Sequence, residues 1–165
     1  MADADASSLH LVNAAAGPIA DQEEWLRPDA LRDEVVLVIA ELALSLSFVV
    51  TPAGRAVHLD ISLAGARARH DAEAAGPPTS NWDRMALGGV EWRMVEPLQR
   101  WDLSVEDLEA GIRAYLTFTG TGPPTRLPDG YEQLGTVSGQ VRLADHQTTL
   151  TNVPARRAHL WNKPI

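Results

Sequence analysis

The side chains that could do chemistry in this chain are few and fall on alternating patterns. His58 and Asp60 stand two apart in AVHLDIS, and Glu41 precedes them in VIAELAL. Side chains two apart on a strand share a face, so His58 and Asp60 project together. Pointing inward, they and Glu41 could serve a cavity as acid, base or hydrogen-bond partner. Pointing outward, they are solvated. Tyr115, in AYLTF, adds one hydroxyl able to orient a carbonyl. The set Arg156, Arg157 and His159, in ARRAHLW, could fix a carbonyl or enolate by charge-assisted hydrogen bonds. It could equally tie down the last strand. Trp82, Trp92, Met94 and Phe48 are apolar surfaces suited to a pocket wall, Met adapting to irregular shapes. The catalytic candidates are therefore Tyr115, Glu41 and Asp60. The substrate-contacting candidates are Trp92, Met94, Trp82, His58 and Phe48.

Other chemistries lack their residues. There is no cysteine, hence no thiolate nucleophile and no disulfide framework. The histidines, at 10, 58, 70, 146 and 159, show neither H-x-H nor H-E-x-x-H spacing, so no metal is expected. Gly88-Gly89 is not a phosphate-binding fingerprint, and no G-x-S-x-G elbow occurs. No cofactor is expected. A net charge of -8 with a single lysine disfavours a nucleic-acid surface. No apolar run approaches the ~20 residues of a membrane span. The N-terminus lacks the basic and apolar regions of a signal peptide, which points to a cytoplasmic protein.

The elements that must position these side chains read as strands. Val90 to Phe118 organises the chain as three strands, broken at Glu96-Pro97 and by a polar connection. Val90, Trp92 and Met94 share one face; Ile112, Ala114, Leu116 and Phe118 share another, opposite Arg113, Tyr115 and Thr117. Upstream, Val35 to Val50 is long and Ala/Leu-rich enough to be a buried helix. Its alternation from Leu42 through Leu44, Leu46 and Phe48 to Val50 selects strand instead, after a first strand at Val35 to Ile39. The turn Thr51 to Gly54 leads into Val57, Leu59, Ile61 and Leu63, making a hairpin. Asp71 to Ser80 and Gly120 to Gly130 read as loops. A last hairpin pairs TVSGQVRL with QTTLTNV, Gly139 marking a bulge or a close approach.

About eight strands joined by short turns predict an all-β, antiparallel up-and-down barrel, a size that holds one small ligand. The expected organisation is a mobile N-terminal segment, residues 1–22, able to close a pocket mouth, and one barrel domain, residues 23–165.

Three stretches carry a family resemblance. EWRMVEPLQRW, Glu91 to Trp101, resembles the aromatic-x-apolar-x-E-P-apolar-x-x-W segment of the AttH and hydroxyneurosporene-synthase group. YEQLGTVSGQVRL, Tyr131 to Leu143, is similar to that group's next block, and RRAHLW, Arg156 to Trp161, to its closing R-D-H-S-W-G motif. The order is right over Trp82 to Trp161, although Ala158 stands where the family has Asp and Asn162 where it has Gly. The resemblance implies a lipocalin-like (calycin) barrel, in a family of carotenoid 1,2-hydratases and polyene cyclases.

Two functional classes follow. One is a cofactor-free cyclase, an isomerase of natural-product biosynthesis that folds a linear polyketide- or terpenoid-like polyene for a Diels-Alder-type closure. Such a reaction needs mainly a dry, shaped cavity and one or two hydrogen bonds to a carbonyl. The other is a lipocalin-like binder without turnover. An alkene hydratase, the family's further activity, needs an inward carboxylic acid, with Glu41, Asp60 and Glu96 as options. The expected partners are a small hydrophobic polyene-like ligand and, as a homodimer, a second copy of the chain.

Overall fold

The computed structural model describes residues 19–24, 26, 30–77 and 81–162. The expected N-terminal lid lies outside the described residues, except for its last four positions. Two short 3-10 helices, Asp21–Glu24 and Ala40–Leu42, accompany the strands β1 (Arg32–Ile39), β2 (Leu44–Thr51), β3 (Gly54–Leu63), β4 (Ala66–Ala75), β5 (Arg84–Leu87) and β6 (Val90–Glu96). After these come β7 (Arg100–Asp107), β8 (Ile112–Gly120), β9 (Thr125–Leu127), β10 (Gly130–Leu143) and β11 (His146–Asn162). All pair antiparallel.

Among the described residues the sheet has 11 strands, in the order β4-β3-β2-β1-β11-β10-β8-β7-β6-β5, with β9 paired to β10 off that path. Successive strands pair along this path except where β1 meets β11 and where β8 meets β10, and the meander rolls up until its two ends, β4 and β5, face each other. The result is a nearly closed barrel, as the alternation predicts, with more strands than the sequence suggests. The surplus comes from β9 within the Gly120 to Gly130 loop, from the short β5 and from β4. That strand reads ARARHDAEAA, and its second half was expected to be loop. Alanine and charged residues carry little strand propensity, but they alternate with period two. Ala66, Ala68 and Ala72 pack against the core while Arg67, Arg69, Asp71 and Glu73 face solvent.

Val35 to Val50 is strand, not helix, interrupted where Ala40–Leu42 turns and Ala43 takes a left-handed φ of 45°. Leu44, Leu46, Phe48 and Val50 all point inward, each at most 4% exposed. Leu42 is equally buried but belongs to the turn. Glu96-Pro97 does end β6: the register slips between Met94 and Glu96, and Leu98 adopts φ 60°. Gly139 meets both of its expectations. The β10–β11 register shifts beside it, and a Cβ there would sit 2.0 Å from the Tyr115 carbonyl oxygen.

One core fills the barrel, with Trp92, Trp101, Phe48, Phe118 and Val137 all essentially inaccessible. A second cluster, Ile19, Ala30, Leu98, Tyr131 and Trp161, lies beneath the Asp21–Glu24 helix. Among the described residues no helix is long and apolar enough to cross a membrane.

Candidate functional site

The inward register of three strands changes character at one end of the barrel. On β1 the run Ile39, Leu37, Val35 ends in Asp33; on β10 the last inward positions are Gln133 and Tyr131; on β11 they are Arg157, His159 and Trp161. Glu24 enters from the 3-10 helix, and the Pro97–Gln99 turn brings the Leu98 amide. Glu24, Asp33, Gln133, Arg157 and His159 are each at most 2% exposed. Charged groups so deep are retained only when paired.

The pairing is continuous. Arg157 donates from one terminal nitrogen to Glu24 Oε1 at 2.9 Å and from the other to Gln133 Oε1 at 3.1 Å. Its guanidinium lies 3.5 Å above the Trp101 ring. Glu24 Oε1 also accepts from the Tyr131 hydroxyl, and Glu24 Oε2 accepts from the Leu98 amide at 3.0 Å. Tyr131 Oη lies 3.2 Å from His159 Nδ1. His159 Nε2 lies 2.5 Å from Asp33 Oδ1, which accepts from Trp82 Nε1 at 3.1 Å as well. Burial pushes the Arg157 guanidinium below its ordinary pKa, and the Glu24 carboxylate opposes that shift. Arginine keeps its proton regardless.

As a carboxylate, Asp33 only accepts, so it holds Nε2 of His159 as the donor. The single Tyr131 hydroxyl proton goes to Glu24, so the Tyr131 oxygen accepts from His159 Nδ1 where that nitrogen also carries a proton. The chain Asp33–His159–Tyr131 can thus hold or move a proton at the tyrosine oxygen. Phe48 and Trp82 meet edge to face at 5.7 Å, and Trp82 meets His159 at 6.1 Å, which puts aromatic walls against the polar groups.

The sequence candidates divide between the two faces of the sheet. Phe48, Trp82 and Trp92 are inward and at most 1% exposed, while Met94 is partly buried against the core. Tyr115 points outward and is 51% exposed, because its neighbours Ala114 and Leu116 take the inward positions of β8. Tyr115 lines a shallow outer hollow of about 330 Å³ with Arg93, Asp102, Thr117 and Ser138. Asp60 and His58 are on the outer face of β3, where His58 Nδ1 meets Asp71 at 2.6 Å. Glu41 is exposed on the second 3-10 helix, and Glu96 is exposed at the end of β6. The catalytic trio Tyr115, Glu41 and Asp60 is therefore not brought together. Period two shows that two faces differ, but not which becomes the inside.

The sequence by itself does not mark Asp33, Tyr131, Gln133 or Glu24 as a group. Tyr131 and Gln133 lie in the second motif of the family resemblance and Arg157 and His159 in the third, which was the available signal. Glu24 carried none: its role depends on where its helix docks.

No family model matches the chain, and no curated protein matches it. Among solved structures, kievitone hydratase from Nectria haematococca is similar with a TM-score of 0.48 at 8% identity, over 90% of this chain and 53% of that one. The chain thus spans about half the length of that structure.

Proposed function

We propose that the chain is a cofactor-free, lipocalin-like barrel enzyme acting on one small, largely apolar, conjugated substrate at the polar end of the barrel. The single observation behind this reading is the buried Asp33–His159–Tyr131 chain beside Phe48 and Trp82. A carrier needs no proton chain of that kind. A polyene conjugated to a carbonyl would place the carbonyl oxygen at the Tyr131 hydroxyl, whose hydrogen bond draws electron density from the alkene. Ring closure then needs only a held conformer. Addition of water would use the same site, His159 passing a proton through the Tyr131 oxygen to one alkene carbon and recovering one from the water that adds to the other. The resemblance to polyene cyclases and hydratases supports both outcomes and favours cyclisation as the first to test.

The experiment is incubation with linear polyenones, followed by mass spectrometry. An unchanged mass at altered retention reports cyclisation, and a gain of one water reports hydration. Unreacted substrate that nevertheless co-purifies with the protein sinks the enzyme and leaves a binder. That second reading has its own support: most polar groups of the network are already satisfied within the protein, as in a structural plug.

A further inference from the structure

The donors that hold the Glu24 carboxylate all belong to the barrel, whereas the carboxylate itself arrives on an appended 3-10 helix. Arg157 comes from β11, Tyr131 from β10 and the Leu98 amide from the β6–β7 turn. Each is fixed without Glu24. Arg157 is stacked on Trp101 at 3.5 Å and tied to Gln133. Gln133 Nε2 is in turn anchored to the Leu98 and Gly122 carbonyls at 2.8 and 3.0 Å, which turns its amide oxygen toward the guanidinium. This is a preorganised cradle for two coplanar oxygens. Glu24 does not exhaust it, since Arg157 Nε is buried with no hydrogen-bond partner. Buried donors in native proteins are satisfied with few exceptions, and an orphan beside a filled carboxylate seat indicates an acceptor still to come.

We infer that this seat is the recognition site for an acidic planar oxygen pair on the substrate, a carboxylate or an enolised 1,3-dicarbonyl, and that Glu24 is its internal stand-in. The inference rests on the reading of the polar end as the substrate site, and it narrows the substrate to an unsaturated acid. Binding exchanges one carboxylate for another: Glu24 withdraws, Arg157 keeps a counter-charge, and the incoming oxygens reach Arg157, its orphaned Nε included, with Tyr131 and the Leu98 amide. Because Glu24 competes from within the chain, its high effective concentration weakens every external carboxylate. Removing Glu24 must therefore strengthen binding, the reverse of what loss of a contact residue does.

The test uses sorbate, a short dienoate, as probe and sorbyl alcohol as its neutral counterpart. Binding to the full chain is read by calorimetry and by fluorescence of the tryptophans, of which Trp101 lies under Arg157. Glu24→Ala is expected to bind sorbate at least tenfold more tightly than wild type, with the alcohol far weaker in both. The double variant Glu24→Ala/Arg157→Met, which leaves no lone buried charge, is expected to lose the sorbate gain. Glu24→Gln, keeping size without charge, covers the case in which Glu24→Ala does not fold. Equal sorbate affinity in wild type and variant overturns the inference, as does equal binding of acid and alcohol. Unfolding of both Glu24 variants, seen by circular dichroism, makes the helix a structural plug and also overturns it. Turnover is not read here. Tight sorbate binding without polyene conversion keeps the seat and sinks the enzyme; conversion of neutral polyenones without sorbate binding does the opposite.

Discussion

Among the described residues the barrel contains two buried or half-buried histidine–aspartate pairs of nearly equal length and different consequence. At the polar end His159 meets Asp33 at 2.5 Å, with side chains 1% and 3% exposed. Across the seam between the sheet's two ends, His70 of β4 meets Asp107 of β7 at 2.6 Å, with side chains 10% and 21% exposed. The first pair continues through Tyr131 to Glu24 and Arg157, so a change at one member is felt by the others. The second is a clasp. It bridges β4 to the far end of β7, beside Gly88, where an added Cβ would come within 2.3 Å of the Ala72 Cβ. Asp107 also accepts from the Ala110 amide, so its own turn satisfies it locally. Identical side-chain chemistry becomes a network where further buried polar groups adjoin it and a tether where only a local turn does.

The sharpest way to break the contrast is Arg157→Ala, which strands the Glu24 carboxylate in the interior. The expected cost is about 3–5 kcal/mol, read as a lowered midpoint in urea denaturation. A loss below about 1 kcal/mol would mean that water reaches Glu24 and that the polar end is no more enclosed than the seam.

Tyr131→Phe cuts the network in the middle. It removes one donor from Glu24 and the partner of His159 Nδ1, for an expected loss of about 1–3 kcal/mol. If the proposed chemistry holds, turnover falls as well, in protein that remains folded by circular dichroism. A variant as stable and as active as wild type would separate the two halves of the network and remove Tyr131 from the mechanism.

Asp107→Asn tests the clasp by pH. The His70 hydrogen bond, helped by the Ala110 amide, holds the Asp107 carboxyl below its ordinary value of 3.8. A depressed carboxylate contributes stability that is complete above the ordinary value and is lost as pH falls through the lower, folded one. The wild type should therefore exceed Asp107→Asn by about 1 kcal/mol or less near neutrality. That margin should shrink only in acid below the ordinary carboxylate range, as followed by thermal melts across pH. A margin as large as that of Arg157→Ala would make the seam a second network.

The smallest effect is expected at Tyr115→Phe. On an exposed outer face, losing the hydroxyl should change stability by no more than about 0.5 kcal/mol and leave conversion of polyenones unaltered. Loss of activity there would move the chemistry to the outer hollow beside Asp102 and Thr117.

Much of this molecule was legible in the chain itself. Alternation of apolar residues made Val35 to Val50, Val57 to Leu63, Val90 to Phe118 and the last hairpin strands, because a one-sided strand must repeat every two residues. Short turns between them required an antiparallel meander, and Gly139 announced its bulge. Phe48, Trp82 and Trp92 read as pocket wall in the sequence, and all three lie on the inward face. β4 was harder, since alanines opposite charges lack the apolar contrast that marks a strand, though they keep its period. Tertiary structure alone decided which face of each strand became the inside, and so placed Tyr115, Asp60 and His58 outside. It also decided that Glu24, Asp33, Tyr131, Gln133, Arg157 and His159, spread over more than a hundred residues of chain, meet at one end. Local periodicity cannot report such a meeting. Each of those side chains sits at an ordinary inward or turn position, and only closure of the sheet, with the Asp21–Glu24 helix docked over its end, removes the water that would otherwise keep them apart.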